Sequence, residues 1–325
     1  MARSHGDLMA GGLPCGGHTS ATTGSSGAAR AAAVGGTPVW DLMSLPVAGR
    51  PLVGCGYRFP LSDCIPRNLH KIDVVEILID DYFLAEDRHK RLVRNLVGKV
   101  PLTAHGLGLS IGTAAHPDGA YLERVAQFLK DFNISCYSEH IAFTRARDSY
   151  IDDLLPLPRT MEAASHLVQN IRFVQSFMPG TLLFENISAY FEYPDSEFSE
   201  AEFLNRVCGE TGAGILLDVE NLYANSINLG VRPEAFIDEL AAASVLGMHV
   251  AGGRWCGNIF FDNHCSSIPE GALRILNLAL EKFSTATIVV ERDRNLGDGS
   301  ELLADVERVR ACLPANIEAD RVDAS

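Results

Sequence analysis

No Cys-x-x-Cys pair occurs among the eight cysteines, at positions 15, 55, 64, 136, 208, 256, 265 and 312, so a structural zinc knuckle is not expected. No apolar run reaches the ~18–20 residues of a membrane span, and no membrane partner is expected. Basic residues are few: 27 Lys and Arg stand against 41 Asp and Glu, a net charge of −14. A nucleic-acid partner needs a basic footprint, so none is expected either. The first 38 residues hold almost no large apolar side chain and cannot bury enough surface to offset their ordering entropy. They read as a disordered tail (1–38) ahead of one folded domain (39–325). That tail also lacks the apolar centre of a signal peptide. A 325-residue chain that is 47% hydrophobic can build a core without disulfide staples. Its scattered cysteines therefore read as reduced thiols in a cytoplasm.

What the sequence does have is alternation. Apolar runs stand at 52–59, 74–80, 100–106, 136–143, 181–187, 214–221, 245–253 and 287–293. Segments with apolar residues three and four apart lie between them, at 87–97, 118–132, 160–178, 199–212, 232–243, 270–283 and 298–313. Ser199 stands three residues before Glu202, the spacing of a capping box, and Pro233 sits where a first helical turn would begin. Strands separated by helices pair in parallel, because parallel neighbours need a long crossover. Eight such units in ~250 residues predict a single (β/α)₈ TIM barrel. A doubly wound open sheet fits less well. "GLGLSIG" (106–112) follows a strand but lacks the Gly-x-Gly-x-x-Gly spacing of a phosphate turn.

The predicted strand ends are polar. Asp80-Asp81, His105, Glu139-His140, Glu185-Asn186, the Asp218, Glu220 and Asn221 of "GILLDVENLY", His249, and Glu291 with Asp293 occupy seven of eight ends. "FFDNHCS" adds Asp262 and His264 from the loop after the seventh strand. If "GILLDVEN" is all strand, Asp218 and Glu220 share a face and repel unless a cation or a shared proton lies between them. In a barrel these ends converge on one rim, where active sites lie. Only Arg58, Arg292 and Arg294 could balance so many carboxylates, so bound metal ions are expected. A set rich in oxygen and nitrogen, with no cysteine at the matching ends, suits iron or manganese, with zinc an alternative.

Eight motifs then stand in order: "HGLGLSIG" (105–112), "SEHIAF" (138–143), "LLPLP" (154–158), "FENISAYFEY" (184–193), "LLDVENLYANSINLG" (216–230), "HVAG" (249–252), "DNHC" (262–265) and "ERD" (291–293). Together they resemble the multinuclear non-heme iron-dependent oxidative enzymes, the family of the methanobactin-biosynthesis iron oxidase. The resemblance spans roughly residues 50 to 313. It implies two or three iron ions at the barrel mouth, O₂ as co-substrate, and oxidative modification of cysteine in a ribosomally made precursor peptide. It also implies a small partner protein that grips the leader peptide. Carried onto this chain, it implies metal ligands at His105, Glu139, Glu185, Asp218, Asn221, His249, Asp262, His264 and Glu291, with His140 a further candidate. Asp218, His249 and His264 are the expected catalytic residues.

The chain departs from the family pattern at Asp80-Asp81, Glu220-Asn221 and Asp262-Asn263-His264, which predicts a more anionic site. Arg58 is expected either to hold a substrate carboxylate or to pair with a rim acid. His70, His89, His116 and His166 read as surface or capping residues. The competing readings are a zinc- or manganese-dependent sugar isomerase or hydrolase on a similar barrel, and a metal-dependent peptide-binding scaffold.

A chain beginning at Val39 is predicted to melt within about a degree of the full-length protein, since exposed termini of this composition contribute little to stability. Calorimetry of the two checks this, and a large loss would mean that residues 1–38 pack on the domain.

Overall fold

Each of the eight apolar runs becomes a strand of one closed barrel, and each return crosses outside it. The computed structural model describes residues 50–146, 149–178 and 180–314; the predicted tail lies outside them. The elements run β1 (Leu52–Tyr57), α1 (Cys64–Arg67), β2 (Val75–Leu78), α2 (Ile79–Leu84), α3 (Asp87–Arg94), β3 (Leu102–His105), α4 (Gly119–Asp131) and β4 (Cys136–His140). A hairpin of β5 (Phe143–Ala146) and β6 (Ser149–Leu155) comes next, then α5 (Met161–Gln175), β7 (Thr181–Glu185), α6 (Glu200–Thr211), β8 (Gly214–Asp218), α7 (Val219–Asn228) and α8 (Pro233–Glu239). β9 (Val245–Val250), a second hairpin of β10 (Arg254–Cys256) and β11 (Ile259–Phe261), α9 (Glu270–Lys282), β12 (Thr287–Val290) and α10 (Ser300–Ala311) complete the order. Around the barrel the strands stand β1-β12-β9-β8-β7-β4-β3-β2, every pair parallel, which is the predicted α/β TIM barrel.

Strand alternation divides the side chains into two sets. On the outside, residues such as Ile77, Phe184, Ile215, Met248 and Ile288 meet Leu122, Ile171, Val207, Leu276 and Val306 of the helices in one large core. Inside, Cys136, Leu183 and Leu216 form a separate small cluster with Leu52 and Leu246. Two residues beyond Leu183 and Leu216 stand Glu185 and Asp218, and four beyond Cys136 stands His140, so the same inward row that closes the floor delivers the polar groups above it. At Gly247 an added Cβ would lie 3.0 Å from Leu216 Cδ1 and 3.2 Å from Thr287 Oγ1, so a side chain here would push Leu216 and Thr287 aside by a few tenths of an ångström.

Three readings of the sequence need correction. "GILLDVENLY" is not strand throughout: β8 stops at Asp218, and Val219–Asn228 is helix. The Asp218 carboxylate accepts the Asn221 backbone N–H at 2.6 Å, an N-cap that ends the ladder and starts the turn. Likewise β2 stops at Leu78, and Asp80 and Asp81 fall in the first turn of α2, where carboxylates favour the positive end of the helix. The two hairpins were not anticipated. The second had a signal in Gly257-Asn258, a two-residue loop with Gly257 at φ 61 between short runs rich in large apolar residues. Elsewhere the capping box forms at Ser199 and Glu202 as predicted. Among the described residues no helix is long and apolar enough to cross a membrane.

Ile171 lies in α5 at 0% exposure, away from the barrel mouth. Ile171→Ala should cost about 2–5 kcal/mol through lost burial and the cavity left behind. Urea unfolding followed by circular dichroism checks this; a cost well under 1 kcal/mol would show that the helix–barrel seam relaxes around the gap.

Candidate metal centre

Six carboxylates and four imidazoles gather at the C-terminal ends of the strands, in four groups, three of them overlapping, and within each group the ligand atoms lie within 4.8 Å of one another. The groups are Glu76, His105 and His249; His105, His140 and Glu185; Glu185, Asp218, His249 and Glu291; and Glu220, Asp262 and His264. His105, Glu185 and His249 each belong to two groups, so the first three form one continuous site. The cavity above them holds about 220 Å³ and is lined from the rim by Arg58, Leu154, Tyr190 and Asn263.

The geometry is one of converging lone pairs. Glu185 Oε2 stands 3.6 Å from His105 Nε2, 3.4 Å from His140 Nε2 and 3.5 Å from His249 Nδ1, yet it is buried without a hydrogen bond. His249 lies 3.0 Å from Glu76 Oε1 through Nε2 and 3.1 Å from Glu291 Oε2 through Nδ1, and neither contact has hydrogen-bond geometry. Asp218 Oδ2, Asn221 Oδ1 and both oxygens of Glu220 are buried and unpartnered too. Leaving a buried polar atom unmade costs ~1–3 kcal/mol. So many at one point mean that the atoms have another partner, and cations fit the donor set.

The backs of these ligands are held. His105 Nδ1 pairs with Ser138 Oγ at 2.8 Å, and His140 Nδ1 faces the Gly106 carbonyl at 3.2 Å, leaving Nε2 of both rings toward the cluster. His264 Nδ1 pairs with Asp293 Oδ2 at 3.0 Å while its Nε2 lies 2.7 Å from Asp262 Oδ1. Such outer partners fix the tautomer and aim of a ligating imidazole. Arg58 donates to Asp293 at 2.6 Å and stands 3.4 Å from Glu291, so it pairs with rim acids.

Protonation shows the same strain. Burial, followed by Glu185 and Asp262, pushes the Asp218 carboxyl well above the usual carboxylate range. Burial and then Asp262 do the same to Glu220. Burial disfavours a charged His249, but Glu76, Glu291 and Glu185 outweigh it and lift its pKa well above the ordinary value. His140 rises to about 9 in the same way, against burial, under Glu185 and Glu139. A cation among these acids would relieve the repulsion behind both the raised carboxyls and the raised imidazoles.

Of the residues expected from the sequence, His105, His140, Glu185, Asp218, His249, Asp262, His264 and Glu291 stand in these groups. Asn221 sets its free Oδ1 at the same cavity while its amide donates to the Asn186 carbonyl at 3.0 Å. Glu139 stands outside the groups, because strand alternation turns it away from His140. Its carboxylate accepts from Leu109 N at 2.8 Å, the Tyr137 hydroxyl at 3.1 Å and His140 N at 3.1 Å. Asp80 turns to the Leu107 N–H at 2.8 Å and the Tyr121 hydroxyl at 3.1 Å, outside the groups as well. Glu76 was missed. Its signal was there: it is the one charge inside the apolar run "VVEIL", where an inward carboxylate has no solvent to reach.

Comparison with known proteins agrees with this architecture. The family model described as RiPP precursor modification enzyme MbnB/TglH/ChrH matches residues 52–314. A UPF0276 protein of Acinetobacter baylyi is 32% identical over 260 residues, covering 79% of this chain and 90% of that protein. One from Chromobacterium violaceum is 31% identical over 222 residues, 68% of this chain and 80% of that one. Among solved structures, D-psicose 3-epimerase in the presence of D-fructose superposes with a TM-score of 0.52 at 14% identity, over 80% of this chain and 97% of that one. A D-allulose 3-epimerase from Methylomonas sp. in complex with D-allulose gives 0.53 at 13% identity, over 81% and 98%. Identities that low show a shared barrel fold.

The placement predicts different outcomes for two glutamates. Glu76→Gln and His249→Ala should each lower the bound metal per chain and shrink the rise in melting temperature that metal produces. Glu139→Gln should keep both. Elemental analysis and calorimetry of folded variants decide; full metal content in Glu76→Gln would remove Glu76 from the ligand set.

Proposed function

The chain belongs to the RiPP precursor modification enzymes of the MbnB/TglH/ChrH family, and on that footing we propose that it is a multinuclear iron enzyme that uses O₂ to oxidise a cysteine of its precursor peptide. The observation that carries this reading is the continuous run of ligand groups sharing His105, Glu185 and His249, with a further group at Glu220, Asp262 and His264 beside it. A mononuclear hydrolytic or isomerase site needs one such group. Two or three ions use all four. Iron, when bound, supplies the redox chemistry that couples O₂ to the cysteine carbons.

The rest falls to the chain. Glu76, His105, His140, Glu185, Asp218, His249 and Glu291, all less than 10% exposed, would hold the ions deep in the mouth. His264, at 16% side-chain exposure, is tied to Asp293 through Nδ1, which aims its Nε2 at the group it shares with Glu220 and Asp262. Leu154, Leu78 and Ile187 give the cavity apolar walls that limit water around the reacting cysteine. The net charge of −14 disfavours anionic peptides and makes delivery by a small leader-binding partner protein, in the cytoplasm, the natural arrangement.

The test is protein purified without air, assayed for metal and for O₂ uptake with the cysteine-bearing peptide that any short reading frame neighbouring its gene encodes. Iron, O₂ consumption and a new sulfur-to-iron absorption band are expected with the cysteine peptide and absent with its Cys→Ser form. Zinc or manganese in place of iron, with the peptide unaltered, would transfer the case to sugar isomerase or hydrolase chemistry on the same barrel.

A further inference from the structure

A second cavity of about 220 Å³ opens at the same rim, on the outer side of β7, between that strand's end and helices α6, α7 and α8. Among the described residues only Ile187 lines both it and the metal cavity. Its walls are apolar: Ile141, Leu157, Ile187, Leu204, Leu229 and Phe236 all line it. Two amides on its lining are already satisfied. Asn186 exchanges hydrogen bonds with the Asp218 backbone, and Asn225 holds the Ile187 carbonyl and the Ala189 N–H.

Glu200 is different. It is half-buried at the first turn of α6, and its carboxylate takes a hydrogen bond from the Ile187 backbone, which uses one of about four acceptor positions. The other charges lining the cavity are Arg159, Glu192, Arg232 and Glu239. Arg159 is spent on Glu192 at 2.8 Å and on the Phe198 carbonyl at 3.0 Å. Glu239 accepts from Ser199 Oγ at 2.6 Å, and Arg232 lies exposed at the outer edge. Counted together, three carboxylates and two guanidiniums line the cavity, and Glu200, in no ion pair among the described residues, keeps acceptor positions free. Burial lifts the Glu200 carboxyl to about 7 against the pull of Arg159, as expected for an acid that lacks a strong cationic partner.

We propose that this cavity is a binding pocket for a side chain with an aliphatic stem and a cationic head, the lysine type, with the stem against Ile187, Leu204 and Phe236 and the head on Glu200. Its occupant would be a residue of the precursor peptide close to the reacting cysteine, because the two cavities share Ile187 in their walls. That choice of occupant rests on the peptide-modifying reading; the chemistry of the pocket does not, and it can be probed without turnover, metal or peptide.

The probe is n-butylammonium, titrated into the full chain and followed by ligand-observed NMR. 1-Butanol and butyrate serve as the neutral and anionic counterparts. Saturable binding is expected for the ammonium ion, at least about tenfold weaker for 1-butanol and undetected for butyrate. Glu200→Gln should weaken the ammonium by about tenfold and leave 1-butanol unchanged. Ala235→Leu, made at an exposed lining position that tolerates change, should fill the cavity and weaken both. Ammonium binding should strengthen from about pH 6 to about pH 8 as Glu200 ionises, and this dependence should vanish in Glu200→Gln. Equal binding of butanol and ammonium with no effect of Glu200→Gln, preference for butyrate, or no saturable binding by the wild-type chain would each overturn the proposal. A positive result with a protein that carries no iron would leave the pocket standing and sink only the redox assignment.

Discussion

The cost of burying negative charge governs this structure. Glu76, Glu185, Asp218, Glu220 and Glu291 are all at most 5% exposed, and Asp262 joins them at the rim. A carboxylate withdrawn from water without a partner is far more expensive than any single packing contact is favourable. The barrel offers three remedies: an arginine on one flank, four imidazoles among the acids, and room for cations at the centre. Arg58 is already committed to Asp293 and Glu291, and apart from His264 on Asp293 the imidazoles do not meet the acids with hydrogen-bond geometry. The centre is what remains, and the rigid ring of parallel strands keeps the ligands from collapsing away from it.

That constraint also explains what could be read from the chain before any coordinates. Barrel strands carry two messages, an apolar outer face and an inward row, and both survive in a linear sequence as alternation. His105, Glu185, Asp218, His249 and Glu291 were legible because each falls at or just past the end of an apolar run, where the inward row meets the rim. Glu76 was not, because it sits one turn of the pleat deeper, surrounded in sequence by Val75, Ile77 and Leu78. Asp80-Asp81 drew attention in its place, being at the end of the run, but the chain had already turned into α2. Glu139 and His140 are neighbours of which the pleat points one into the cluster, and only three-dimensional closure says which.

The hairpins escaped for a different reason. β5–β6 has polar and charged residues scattered among its apolar ones, so its sequence carries no clean strand alternation. Ser110, at φ 50 in the loop after β3, takes the backbone N–H groups of Thr144 and Arg145 on its hydroxyl, and Arg145 reaches back to the Gly108 carbonyl. These bonds seat the hairpin at the mouth. No local propensity encodes them.

Asp218 serves two structures with one carboxylate. Oδ1 caps α7 through the Asn221 N–H, and Oδ2 faces the ligand cluster. The same helix holds the rim through Asn225, bonded to Ile187 and Ala189, and through Asn228, bonded to Phe260 of the second hairpin. A cation at Oδ2 would draw electron density from the oxygen pair that steadies the helix end, and by thermodynamic reciprocity whatever coupling follows acts equally in both directions. One carboxylate thus joins the ligand cluster to the loops that border its entrance, by way of Asn225 to Ala189 and Asn228 to Phe260.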